Sequence, residues 1–257
     1  MLLTVDVGNT QIALGMFDGD ELIGHWRVAT EPEATLDEIR WKMTGILGQD
    51  GFTQGDIEGL AISSVVPAVT TNLRRISHYL TAGRSVVVEP GVRTGMAIEI
   101  DNPHEVGADR IVNAVAARHK YGSPTVVVDF GTSTNFDVVG SSGSYLGGVI
   151  APGLVIATNA LVAGTAALRR VEFASPRSVI GKGTVEAIQS GAVFGHAGMV
   201  DAICDRIAVE LGGDVTRVAT GGLASTIVPH CRSVSTVDDY LTLEGLKIIF
   251  DLNQDHS

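Results

Sequence analysis

Two short segments share one pattern of chemistry-bearing residues. Residues 4–10 read Thr-Val-Asp-Val-Gly-Asn-Thr, and residues 127–133 read Val-Val-Asp-Phe-Gly-Thr-Ser. Each ends an apolar run with Asp (Asp6, Asp129), sets Gly two residues later (Gly8, Gly131) and follows it with a hydroxyl or amide side chain. A glycine lets the backbone approach a phosphate because no Cβ stands in the way. Asn9, Thr10, Thr132 and the local N–H groups can donate to phosphate oxygens. A carboxylate only accepts, so Asp6 cannot grip phosphate itself. It suits Mg²⁺ held through water, since that ion sheds its hydration shell reluctantly. Asp129 either needs a cation partner or caps its turn. One such segment would pass for an ordinary Asx/Gly hairpin turn. Two of them fit a pair of turns that grip a nucleotide's phosphates from two sides.

A third segment, Gly107-Ala-Asp-Arg110, stands at the expected start of a helix. Asp109 falls in the first turn, where the macrodipole favours an anion, the state a proton acceptor requires. The bland alternative is a capping Asp109 beside a solvated Arg110. The polar, Pro-containing loop before it, Asp101-Asn-Pro-His-Glu105, fits a cleft rim, with His104 structural or solvated. Gly181-Lys-Gly-Thr184 imitates the end of a P-loop but lacks Gly at Pro176 and a hydroxyl at Gly183. It reads as a loop into a helix, with Thr184 near the N-cap. Thr220-Gly-Gly222 fits either a close approach to a flat ligand such as adenine or a plain turn.

The elements that must position these residues follow from periodicity and turn punctuation. Leu2–Asp6, Gln11–Phe17 and Leu22–Val28 read as strands, and Thr125–Asp129, Asn135–Val139 and Tyr145–Ile150 repeat them. Thr35-Leu-Asp-Glu38 is a capping box that opens a helix with Leu36, Ile39, Met43, Ile46 and Leu47 on one face. Further helices are expected at Val69–Leu80, Gly107–Tyr121, Thr184–Leu211 (ending at Gly212-Gly213) and Leu241–Leu252. Strands are expected at Gly59–Ser63, Ser85–Glu89 and Arg217–Thr220. The prediction is an α/β fold of two domains, 1–120 and 121–257. Duplicated Asp-x-Gly hairpins of this kind resemble the acetate and sugar kinase, Hsp70 and actin superfamily. That resemblance implies a duplicated ribonuclease-H-like fold with the ATP cleft between its two domains. Gly191, Gly195 and Gly198 form a small-residue stripe along the long helix, for close packing inside the domain or across a dimer.

Composition narrows the partners. A formal charge of −11 disfavours nucleic acid or an anionic membrane surface. It also leaves an anionic substrate to local devices: backbone N–H groups, helix N-termini and a metal ion. Cys204 and Cys231 form no CxxC, and both read as buried, reduced thiols. Val138–Leu168 carries no charge, but its glycines, Pro152 and Asn159 break it below the ~20 apolar residues a span needs. A buried sheet followed by a small-residue loop is expected there, in a soluble, cytoplasmic protein.

In their order along the chain, Asp6–Thr10, Glu89-Pro-Gly-Val-Arg-Thr-Gly95, Asp101-Asn-Pro103, Glu105–Arg110, Asp129–Thr132, Gly147-Gly148 with Pro152-Gly153, Gly181–Thr184 and Thr220–Gly222 resemble the type III pantothenate kinases. The resemblance runs nearly end to end. It implies a homodimeric enzyme that phosphorylates the 4′-hydroxyl of pantothenate with ATP, the first step towards coenzyme A. It also implies a need for Mg²⁺ and for K⁺ or NH₄⁺. By the same resemblance Asp6, Val7, Gly8, Asn9, Thr10, Gln11, Ile12 and Ala13 hold the ATP phosphates, with Asp6 on Mg²⁺ through water. Gly131 and Thr132 bind ATP, and Asp129 binds the monovalent cation. Gly107, Ala108, Asp109 and Arg110 contact pantothenate, with Asp109 the catalytic proton acceptor. Thr184 reaches pantothenate, from its own or a neighbouring subunit. Arg110 either pairs with the substrate carboxylate or forms a structural salt bridge. The family carries a tyrosine near Ile100, so the pocket wall departs there. The rivals are another small-molecule kinase of the superfamily, a non-catalytic nucleotide-binding regulator and an actin-like filament former.

Overall fold

The β-branched runs and glycine turns at the start of each half fold as three-stranded meanders. The computed structural model describes residues 1–81, 84–165 and 173–254. In the first meander β1 (Leu2–Val7), β2 (Gln11–Asp18) and β3 (Glu21–Ala29) pair antiparallel. The chain continues through α1 (Leu36–Gln49), β4 (Gly59–Ser64), α2 (Pro67–Leu80) and β5 (Ser85–Val87). β4 pairs parallel to β1, and β5 parallel to β4, giving the order β3-β2-β1-β4-β5. The capping box is present: Thr35 accepts from the Glu38 N–H while Glu38 takes the Thr35 N–H.

After α3 (Ala108–Tyr121) the pattern restarts with β6 (Thr125–Phe130), β7 (Ser133–Val139) and β8 (Tyr145–Pro152). Then come α4 (Leu154–Ala163), α5 (Thr184–Glu210), β9 (Thr216–Thr220), the short α6 (Ala224–Ile227), β10 (Thr236–Val237) and α7 (Leu241–Leu252). The second sheet is ordered β10-β9-β6-β7-β8, with β9 parallel to β6 and β10 parallel to β9. Read from its other edge, it repeats the first sheet strand for strand.

The chain divides into two compact units: Met1–Ala97, Asp101–Ala116 and Leu241–Ser257 form one, Ile98–Ile100 and Ala117–Tyr240 the other. In the first unit, alternation along β1 sends Leu3, Val5 and Val7 to the face covered by α1 and α2. The opposite face meets α7. A Cβ on Gly59 would overlap the Phe250 ring, and one on Gly15 would press on Leu243. In the second unit Val126, Val128 and Phe130 pack against Val193, Ala197, Val200 and Cys204 of α5.

One element departs from expectation. The uncharged stretch after β8 is not a loop, because Leu154–Ala163 forms α4. Its apolar residues surround the whole helix, so no 3.6-residue stripe announces it, and Gly153 at its N-cap offers no side chain to mark its start. Among the described residues no helix is long and apolar enough to cross a membrane. Cys204 is buried with its thiol pushed up to about 11 by desolvation; Cys231 is only half-buried, its thiol pushed up to about 12 by the same cause. Both are free thiols.

Candidate active site: two glycine turns and a half-buried carboxylate

Both Asp residues occupy the same station in their sheets. Asp6 pairs in parallel register with Ser63 of β4, and Asp129 pairs in parallel register with Thr220 of β9. Alternation turns each away from the face that carries Val5 and Val7, or Val128 and Phe130. Ser63 Oγ donates to Asp6 Oδ1. The hydroxyl beside the carboxylate escaped sequence reading, because it lies 57 residues from Asp6 and only strand register joins them.

The first turn closes with the Gly8 N–H donating to the Gln11 carbonyl at 2.9 Å. Thr30, just past β3, braces it twice: Thr30 Oγ1 donates to the Gly8 carbonyl at 2.7 Å and its N–H to the Thr10 carbonyl at 3.0 Å. Asn9, Thr10 and Gln11 are exposed, whereas Val7 and Ile12 bury their side chains in the core. Of residues 6–13, Val7 and Ile12 therefore have only backbone to offer a ligand.

The second turn is one residue shorter and closes with the Gly131 N–H donating to the Ser133 carbonyl at 3.0 Å. Two further glycines wall it. A Cβ on Gly153, the N-cap of α4, would overlap the Thr132 carbonyl oxygen and stand 2.8 Å from that of Gly131. A Cβ on Gly221, at φ +91°, would overlap Asp129 Oδ1. Asp129 thus lies in a cradle of bare backbone that a side chain would fill. The Asp129 carboxylate fits a cation partner, and the Asp6 carboxylate fits water-bound Mg²⁺. Among the described residues no three His, Cys, Asp or Glu side chains converge as a metal cage. Cations at these two carboxylates would complete their shells with water, backbone carbonyls and phosphate oxygens.

Asp109 lies in the first turn of α3, folded back so that a Cβ on Gly107 would overlap its Oδ1. Oδ1 accepts from the Arg110 N–H at 2.9 Å. Burial pushes its carboxyl above the usual aspartate range, more strongly than the Arg110 N–H and guanidinium pull it down. The expected bias towards the ionised form is overturned here, because desolvation outweighs the N-terminal field. The result is a carboxylate with more proton affinity than a solvated one.

Thr184 is the first residue of α5, not its cap; Gly183 takes that position, and Thr184 is exposed. It lines a largely apolar groove of about 620 Å³ between α4 and α5, with Leu154, Leu161, Ile188 and Gly191. Among the described residues, a Cβ on Gly191, Gly195 or Gly198 would meet nothing within 4 Å. Ile100 lies against the Gly147 backbone, which takes φ +104°. His104 is exposed in a one-turn 3₁₀ helix capped by Asn102.

These features agree with what the chain resembles. A family model described as type III pantothenate kinase matches residues 2–206. The type III pantothenate kinase of Frankia alni is 52% identical over 256 residues, covering 98% of this chain and 100% of that one. The type III pantothenate kinase of Parafrankia sp. is 51% identical over 254 residues, 98% of each chain. Among solved structures, a putative 2-dehydro-3-deoxygalactonokinase from Sinorhizobium meliloti aligns with a TM-score of 0.59 at 12% identity, covering 100% of this chain and 98% of that one. The activator of 2-hydroxyisocaproyl-CoA dehydratase from Clostridium difficile, solved with bound ADPNP, aligns at 0.55 and 12% identity, covering 98% and 94%. At such identities the structures establish the fold alone, a duplicated α/β fold of the actin-like ATPase and sugar kinase type. With half of all positions identical over nearly the full length, this chain belongs to the type III pantothenate kinase family.

Proposed function

We propose that this protein transfers the γ-phosphoryl group of ATP to the 4′-hydroxyl of pantothenate, giving 4′-phosphopantothenate and ADP on the way to coenzyme A. The observation that carries the reading is Asp109, a partly buried carboxylate of raised proton affinity in the Gly107–Arg110 segment at the head of α3. In the proposed step Asp109 orients the hydroxyl. The oxygen–phosphorus bond forms as the bond to the β-phosphate oxygen breaks, and the hydroxyl proton passes to Asp109. Phosphoryl transfer runs through a loose transition state, so positioning and charge neutralisation dominate and the proton moves late. The Asn9 and Thr10 backbone and Thr132 take the phosphates, and Asn9, Thr10 and Gln11 add side-chain donors, while the Gly8 and Gly131 N–H groups close their turns. Gly107, Ala108 and Arg110 line the acceptor site, and Thr184 extends it.

Asp6 would hold Mg²⁺ through water, and Asp129 would hold K⁺ or NH₄⁺. When bound, these cations offset charge on the transferred group, which matters in a chain of net charge −11. A homodimer and a cytoplasmic location belong to the same proposal. The outward glycine stripe and the exposed Ile156, Leu161 and Val185 around the α4/α5 groove support a second copy as its cover. A coupled ADP-release assay with ATP and pantothenate, with and without potassium, tests the reading. Pantothenate-dependent turnover that falls without the monovalent cation is expected. ADP release indifferent to pantothenate would overturn it.

A further inference from the structure

One imidazole touches both legs of the second turn, and nothing above gives it a task. His196, on α5, is 8% exposed. Its Nε2 lies 2.8 Å from Thr134 Oγ1, and its ring lies 6.1 Å from the Phe130 ring, tilted by 50°. Phe130 and Thr134 face each other in the antiparallel register of β6 and β7. They are the last pair before the chain turns through Gly131 and Thr132. Thr134 is 1% exposed, so its hydroxyl points into the core rather than towards a ligand.

The first turn shows what the alternative looks like. There the corresponding last pair is Val7 and Ile12, both apolar and both in the core. That turn takes its polar bracing from Thr30 on the open side. In the second turn a buried hydroxyl has replaced an apolar closing residue. An unmet hydroxyl there would cost stability, and a helix residue far along the chain meets it. Burial lowers the His196 pKa, so the ring is neutral near neutral pH and the bond to Thr134 joins two uncharged groups.

We propose that His196 is a positioning residue for the nucleotide phosphates, fixing both legs of the Asp129–Thr134 turn so that the Gly131–Thr132 backbone keeps its place against them. The inference rests on the reading of Gly131 and Thr132 as ATP contacts. It assigns His196 no contact with ATP or pantothenate.

The test is ADP titration with Mg²⁺ on the full chain, without pantothenate, followed by steady-state kinetics in both substrates. His196→Phe keeps ring bulk but loses the hydrogen bond; Thr134→Val keeps the shape and loses the hydroxyl. Each is expected to weaken ADP binding about tenfold, the scale of one buried hydrogen bond. The double variant is expected to be no weaker than either single one, since both remove the same link. His196→Gln, which can still bond Thr134, is expected to stay within about threefold of wild type. KM for ATP rises in the impaired variants while KM for pantothenate holds. Where His196→Phe does not fold, Thr134→Val carries the same comparison. Wild-type ADP affinity in Thr134→Val overturns the proposal, as does an equal rise in both KM values in His196→Phe that His196→Gln shares. The titration needs no acceptor. A wild-type protein inert towards pantothenate whose His196→Phe variant still loses ADP affinity therefore supports this inference while removing the function proposed above.

Discussion

At the scale of single residues, Asp109 sets stability against chemistry. Its native carboxyl holds a proton more tightly than the unfolded chain does, so its contribution favours the native state at low pH. That contribution is lost as pH rises from the unfolded value towards the higher native one. At neutral pH Asp109 is therefore a burden on the fold. Asp109→Asn is expected to raise Tm at pH 7, with about 2–4 °C for each kcal/mol relieved. The same change should cut kcat by about 10²–10⁴. Calorimetry and turnover on one preparation check both; a variant with unchanged kcat removes Asp109 as the base. The acidic limb of kcat/KM is expected above the ordinary aspartate value of about 3.9. A limb at or below it would contradict the burial argument. The glycine walls are the second residue-scale case. Gly153→Ala would drive a methyl into the Thr132 carbonyl, so the second turn must shift. We expect weaker ADP binding, by roughly tenfold or more, from a helix start that needs no contact with nucleotide; unchanged affinity in titration would show that the turn tolerates the shift.

Residue types made the candidate site residues stand out in the sequence. Asp6, Gly8, Asp109, Asp129 and Gly131 stand out because few other roles suit carboxylates and glycines so arranged. Their supports did not stand out. Ser63, Thr30 and His196 acquire meaning only through register and packing, which bring together residues 22 to 62 positions apart. The direction of the Asp109 shift was missed for a related reason: the helix end is visible in a sequence, while the extent of desolvation is not.

Among the elements, those with a cap, an apolar stripe or a glycine stop were readable. α1 carries its capping box, α5 ends at Gly212 and Gly213 with positive φ, and α7 spans the expected residues. Thr35→Ala removes the side-chain half of the α1 cap. It is expected to lower Tm by about 2–4 °C and leave turnover untouched, because α1 supplies core contacts and no site residue. Thermal melts beside the coupled assay check this; a loss of activity without a loss of Tm would tie α1 to the site. α4 was unreadable, being apolar on all sides and flanked by glycines. Its partner α5 offers the sharper test of assembly. Gly195→Arg places a long cation on the stripe, where a Cβ meets no described residue within 4 Å. Sedimentation is expected to show monomers with a near-wild-type melt. A persistent dimer would remove this face from the interface.

On the scale of the whole molecule, the two sheets repeat one strand order, and the repeat was legible because each copy opens with the same Asp-Gly hairpin. The affiliation of the last helix was not. Nothing in the apolar spacing of Leu241–Leu252 says which sheet it covers, yet a Cβ on Gly245 would overlap the Val112 backbone, and Phe250 lies over Gly59. That placement orders events during synthesis. About 180 residues separate Ser64 from Leu241. At ~5–20 residues per second, the first sheet would wait on the order of 10–40 s, one apolar face bare, before the segment that shields it leaves the ribosome. A nascent chain stalled at residue 240 should accordingly recruit holdase chaperones to its opening third.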